Sequence, residues 1–151
     1  MASVQDFLKL VGDVLSSRRA EALALSKGGW EGWIQCELWN AVNDAGTSVE
    51  RERQYPGFNL YCDLVCQLDG RDYWIELKAY GIFQAKDAAR FLDAYANDVM
   101  KLNSAPRDEG KLALLVVPKN IGQQLAQTIK QRWTGVVQAS SNKIMLFYVK
   151  F

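Results

Sequence analysis

The chain has 151 residues, of which 49% are hydrophobic, with 18 basic against 17 acidic side chains and no histidine. That length fits one domain with one sizeable core. The near-balance of charge excludes a strongly basic nucleic-acid coat and an acidic tail, though not a local basic groove. The missing imidazole excludes Ser-His-Asp and Cys-His hydrolysis and His-based zinc or nuclease motifs, so acid–base work falls to carboxylates, lysine or tyrosine.

Residues 3–16 place Val4, Phe7, Leu8, Val11, Val14 and Leu15 at helical spacing, which predicts an amphipathic helix. Such a helix packs on its own domain or serves a homodimer or another protein partner. The charges Asp6, Lys9 and Asp13 break any signal-peptide core, and no apolar run is long enough for a membrane span. The expected location is therefore cytoplasmic, with no membrane partner. Residues 1–27 read as an N-terminal helical region of a single domain covering 1–151, with Gly28-Gly29 as the stop.

A second helix is expected from about Trp30 to Asn43, with Trp30, Trp33, Ile34, Leu38 and Ala41 on one face. Residues 48–55 alternate as a strand does, and Pro56-Gly57 makes a turn. Then "CDLVCQLDGRDYWIELK", Cys62 to Lys78, reads as a hairpin closed at Asp69-Gly70, the dipeptide of a type I′ turn. Residues 84–103 carry a helical stripe of Ala88, Phe91, Leu92, Tyr95, Val99 and Leu102. The near-continuous apolar run Lys111–Pro118 suits a central strand covered on both faces. A last helix through Leu125, Ile129 and Trp133 and two strands around Ser140-Ser141-Asn142 complete the chain. This order predicts an α/β domain, a mixed central β-sheet flanked by helices.

The three cysteines, Cys36, Cys62 and Cys66, form no regular framework and read as small core residues of a reducing compartment. The hairpin carries the chemistry. A two-residue turn at Asp69-Gly70 sets Leu68 against Arg71, Cys66 against Tyr73, Leu64 against Ile75 and Asp63 against Glu76. One face is then wholly apolar: Cys62, Leu64, Cys66 and Leu68 against Tyr73, Ile75, Leu77 and Ala79. The other carries Tyr61, Asp63 and Val65 against Trp74, Glu76 and Lys78.

Like charges directly opposite, with Cβ atoms about 5 Å apart, destabilise a sheet, and a cation between them removes the conflict. Oxygen ligands without imidazole or thiolate favour Mg²⁺, Mn²⁺ or Ca²⁺. Lys78 is then placed to orient a metal-bound water or take its proton. Glu37, on the face marked by Trp33, Ile34, Leu38 and Ala41, is expected to turn toward the acid pair; Glu31 points elsewhere and is expected in solvent.

These residues and their element order resemble the PD-(D/E)xK nuclease superfamily, the restriction-endonuclease-like fold, over roughly Trp30 to Val117. Its Asp, its (Asp/Glu)-x-Lys and its helix Glu match Asp63, Glu76-Leu77-Lys78 and Glu37. Cys62 stands where the family name has Pro. The resemblance implies a restriction-endonuclease-like core and a Mg²⁺- or Mn²⁺-dependent phosphodiesterase acting on nucleic acid, DNA ahead of RNA. It implies Asp63, Glu76 and the Leu77 carbonyl as metal ligands, with Glu37, Asp63, Glu76 and Lys78 as catalytic residues. The rival is a catalytically silent member that binds nucleic acid or a protein. Arg51, Arg53, Lys86 and Arg90 could contact phosphate, although such residues are more often solvated surface charges, and Trp74, which shares the acid face, could stack on a base, although core packing is the commoner role of a tryptophan. Asp98 and Lys101 read as helix surface.

Overall fold

The computed structural model describes residues 3–24, 30–80, 88–133, 135–140 and 143–151. Helices α1 (Val4–Leu15), α2 (Arg18–Ala24) and α3 (Glu31–Asp44) precede strands β1 (Val49–Gln54), β2 (Tyr61–Leu68) and β3 (Arg71–Ala79). Helix α4 (Ala88–Lys101) and a 3₁₀ turn at Leu102–Ser104 lead to β4 (Gly110–Pro118). Helix α5 (Lys119–Arg132), β5 (Val137–Ser140) and β6 (Ile144–Lys150) follow. The six strands form one mixed sheet in the order β1-β2-β3-β4-β6-β5. All neighbours are antiparallel except β3 and β4, which run parallel through the α4 crossover.

Helices cover both faces, so β4 is buried along almost its whole length and reads as an unbroken apolar run. On one side Val4, Phe7, Val11 and Leu15 of α1 and Ile34, Leu38 and Val42 of α3 pack on Leu64, Cys66, Leu68, Tyr73, Ile75, Leu77 and Leu114. The apolar stripe of α1 is thus spent inside its own domain. On the other side Phe91, Leu92 and Tyr95 of α4 and Ile121 and Ile129 of α5 pack on Val65, Trp74, Ala113, Leu115, Val117 and Phe147.

Local chemistry starts α1 firmly. The Ser3 hydroxyl accepts from the Asp6 N–H at 3.1 Å, and the Ser3 N–H donates to the Asp6 carboxylate at 3.2 Å. The Val4 N–H donates to Asp69 Oδ2 at 3.2 Å, which ties the helix start to the β2–β3 turn. At that turn Asp69 and Gly70 have φ of +51° and +76°, the two left-handed residues of a type I′ hairpin. The register follows: Leu68 faces Arg71, Cys66 faces Tyr73 and Leu64 faces Ile75.

The regular ladder stops there, one pair short of Asp63 and Glu76. The strict alternation expected for β2 also fails at this point, because Cys62 packs with the α4–α5 side while Leu64 packs with the α1–α3 side. In β1, Glu52 has a left-handed φ of +55° between Arg51, which pairs with Leu64, and Arg53, which pairs with Cys62. A shared irregularity in two neighbouring strands re-aims the side chains at one end of the sheet, as bulged strands do. Cys36 departs from the core expectation and is exposed; Cys62 and Cys66 are buried.

Candidate functional site

Past Leu64, side chains take over the bonds that backbone makes elsewhere in the hairpin. The Leu77 N–H donates to Asp63 Oδ2 at 2.8 Å, and the Cys62 thiol lies 3.2 Å from the Ile75 carbonyl. The two strands therefore part with their polar groups still satisfied. Asp63 and Glu76 are not ladder partners, as the expected register had them, but neighbours across this opening.

Glu76 comes from a strand buried on both sides and is only 1% exposed. A buried carboxylate needs partners, and it has two. The Tyr55 hydroxyl donates to Oε1 at 2.7 Å, and the Lys101 ammonium stands 3.1 Å from Oε1 and 3.2 Å from Oε2. Burial and the neighbouring Asp63 push the Glu76 carboxyl up to about 8, against the opposing pull of Tyr55 and Lys101. Burial, with Cys62 and Glu76 nearby, likewise drives the Tyr55 hydroxyl upward, so it stays a donor. Its ring stacks on Trp74 at 4.9 Å.

Lys78 leaves the same strand two residues on. Its ammonium lies 3.1 Å from Asp98 Oδ2 and 3.7 Å from Glu31 Oε1. Burial pulls that ammonium down, but Glu31 and Asp98 outweigh it and leave its pKa raised. Glu31 Oε2 in turn accepts the Ala79 N–H at 2.9 Å. Burial raises the Glu31 carboxyl, with the Ala79 N–H and Lys78 opposing; burial raises Asp98 as well, with Lys78 opposing. Four carboxylates, Glu31, Asp63, Glu76 and Asp98, thus meet two ammonium groups, Lys78 and Lys101.

Asp63, Glu76, Leu77 and Lys78 therefore do converge at one end of the sheet. Glu37 does not join them: it is half-buried and, among the described residues, makes no hydrogen bond or ion pair with the site. Glu31, expected in solvent, takes that place. The buried stripe of α3 is Ile34, Gln35, Leu38 and Val42, and at about 100° per residue it centres on Glu31 and leaves Glu37 about 120° away. Trp33 and Ala41, which suggested the other face, are only half-buried.

Asp98 and Lys101 are likewise not plain helix surface. Asp98 falls in the series Phe91, Tyr95, Asp98, Leu102, a regular apolar stripe with one acid in it, and its side chain is 13% exposed. That interruption was the available signal for Asp98; for Tyr55 the sequence offers only a tyrosine closing the alternating stretch 48–55, and its burial is a finding of the structure.

The other sequence candidates do less. Trp74 is buried beneath Tyr55 and Arg53 and offers no free face for stacking. Arg53 pairs with Asp72 at 2.7 Å. Arg51 is half-buried, with its Nε lacking a hydrogen bond. Arg90 is exposed, and Lys86 lies outside the described residues.

The carboxylates at the opening outnumber the ammonium groups, and burial pushes the Cys62 thiol there up to about 12, so it stays protonated; this charge balance suits a hard divalent cation. Among the described residues no group of three or more His, Cys, Asp or Glu side chains could hold an ion by itself. A cation here would have two carboxylate ligands and would keep several waters. Also among the described residues, no helix is long and apolar enough to cross a membrane. Neither a family model, nor a curated protein, nor a solved structure matches the chain.

Proposed function

We propose that the chain is a metal-dependent nuclease of the PD-(D/E)xK type that hydrolyses phosphodiester bonds of nucleic acid, DNA ahead of RNA. The observation that carries this reading is the meeting of Asp63, Glu76 and Lys78 where β2 and β3 separate, with Glu31 arriving from the helix that precedes the three strands. The antiparallel β1–β2–β3 meander and the parallel return to β4 through α4 fit a restriction-endonuclease-like core.

Asp63 and Glu76, with the Leu77 carbonyl, would hold Mg²⁺ or Mn²⁺. Such an ion supplies an activated water and positive charge facing the phosphate. The remaining work belongs to side chains. Lys78, kept protonated by Glu31 and Asp98, serves as a fixed cation that orients the attacking water and faces the charge growing on phosphate. Glu31 and Asp98 favour its charged form. Glu31 and Asp98 hold that ammonium in place and are positioning residues. Tyr55 steadies Glu76.

A second reading has one observation in its favour: Tyr55 and Lys101 already satisfy Glu76 without any metal. On that reading the chain is a silent nuclease fold that binds nucleic acid or a protein. Plasmid and RNA cleavage with Mg²⁺, Mn²⁺ and EDTA separates the two. Metal-dependent strand scission that disappears in Asp63→Asn supports the nuclease. No cleavage of either substrate by the folded protein, whether or not Mn²⁺ binds, supports the silent fold.

A further inference from the structure

We propose that Lys101 is a resident cation at the Glu76 carboxylate, so that a divalent ion enters this site by exchange with an ammonium group. The proposal rests on the reading of Asp63 and Glu76 as metal ligands. Lys101 Nζ stands within 3.2 Å of both Glu76 oxygens and so bridges the carboxylate. Glu76 is 1% exposed, and water cannot balance its charge. Its other partner, Tyr55, is neutral. Among the described residues Lys101 is the one cation within ion-pair distance of Glu76; Lys78 is turned instead to Glu31 and Asp98.

The two α4 side chains at this end of the sheet differ in how firmly they are held. Asp98 is 13% exposed and fixed against Lys78. Lys101, one turn later, is 27% exposed and ends a flexible four-carbon stem that can swing its charge into solvent. An ammonium and a divalent cation a few ångströms apart repel strongly where water is scarce. Metal that engages Glu76 therefore has to move Lys101 aside. Two consequences follow: the ammonium offsets part of the cost of the metal-free Glu76 carboxylate, and the divalent affinity of the site is lower than two bare carboxylates would give.

The test titrates Mn²⁺ into the full chain by calorimetry and by Mn²⁺ paramagnetic resonance, for wild type, Lys101→Met and Lys101→Gln. Lys130→Met removes the same charge from an exposed position on α5 and serves as the control. Both Lys101 variants should bind Mn²⁺ about tenfold tighter than wild type or more, on the order expected for removing one nearby charge, while the control stays within about twofold. In wild type, acylation of the Lys101 amine by a water-soluble ester, read by mass spectrometry, should rise several-fold at saturating Mn²⁺ as the ammonium is released. If Lys101→Met does not fold, the Gln variant and the acylation measurement decide. Equal Mn²⁺ affinity in wild type and both Lys101 variants, with unchanged acylation, overturns the exchange but leaves the metal pair standing. Weaker binding in both Lys101 variants also overturns it. No Mn²⁺ binding by wild type or by either variant overturns the metal pair itself, and the exchange with it.

Discussion

The two ends of the β2–β3 hairpin are built from one pair of strands on opposite plans. At the turn end, backbone pairs with backbone in regular register from Leu68–Arg71 to Leu64–Ile75, and the residues between are mostly buried and uncharged. At the other end, Asp63 and Cys62 reach across with their side chains, and Glu76 and Lys78 are served by residues of β1, α3 and α4. A ladder needs no particular side chain to close it, so the turn end tolerates exchange among apolar residues. The open end is held by specific polar atoms, and each one removed leaves a buried partner unsatisfied. The contrast teaches where to look for chemistry: at the point where side chains replace the backbone.

Removing Lys78 should separate the ends most sharply. Lys78→Ala should lower metal-dependent cleavage by roughly 10³-fold, the scale of removing a group that faces transition-state charge. Mn²⁺ affinity should stay within a few-fold of wild type, because Lys78 contacts Glu31 and Asp98 rather than the proposed ligands. Single-turnover cleavage beside Mn²⁺ titration checks both parts. Wild-type cleavage in the variant would remove Lys78 from the mechanism.

The two helix carboxylates should differ next most. Glu31→Gln weakens the hold on the Lys78 ammonium while keeping an acceptor for the Ala79 N–H, and should cost about 30-fold in single-turnover rate, within the range for a lost positioning contact. Glu37→Gln should change the rate less than about twofold, because Glu37 makes no hydrogen bond or ion pair with the site among the described residues. Equal losses in the two variants would return Glu37 to the site.

That pair also shows how far the sequence could be read. The hairpin and its register were legible because Asp69-Gly70 admits one turn geometry, and every ladder pair down to Leu64–Ile75 followed from it. The mixed sheet was legible from element order and from the double-sided burial of Lys111–Pro118. Asp63, Glu76 and Lys78 stood out as charges in apolar strands. The two failures on helices share one physical cause. A carboxylate in the middle of a helical apolar stripe looks solvated until the stripe is phased, and Trp33 and Ala41 misphased α3, so Glu37 displaced Glu31. The same oversight left Asp98 on the surface. The break in alternation at Cys62 was not legible, because it depends on a left-handed Glu52 in the neighbouring strand.

Buried charge gives the open end a pH dependence. Glu76 rises from 4.5 to about 8 on folding. A carboxyl raised by folding leaves stability intact below its unfolded pKa and erodes it as pH climbs toward the folded one. In EDTA, Glu76→Gln, which resembles the protonated acid, should match wild type near pH 4. It should exceed wild type by about 2 kcal/mol or more at pH 9, since the raised value already includes the opposing pull of Lys101. Denaturant melts at the two pH values check the sign. A variant equally destabilised at both would mean that Glu76 is held as a well-compensated carboxylate.

The smallest expected effects come from backbone alone, and they run in opposite directions at the two ends. Gly70 and Glu52 both have left-handed φ, +76° and +55°, but one is a glycine in a turn that requires it and the other a glutamate inside a strand. Gly70→Ala adds a Cβ where L-residues are disfavoured and should cost about 1 kcal/mol, with cleavage unchanged. Glu52→Gly removes that penalty from β1 but loosens the unfolded chain. The two terms nearly cancel, to a net gain of about 0.5 kcal/mol. At this chain length that is about 1–2 °C in Tm. Thermal melts of the two variants beside wild type read both shifts. A clear loss of stability in Glu52→Gly would show that the glutamate side chain, and not only its backbone, supports the break between β1 and β2. The irregularity beside Asp63 would then be held by a specific contact rather than by local strain.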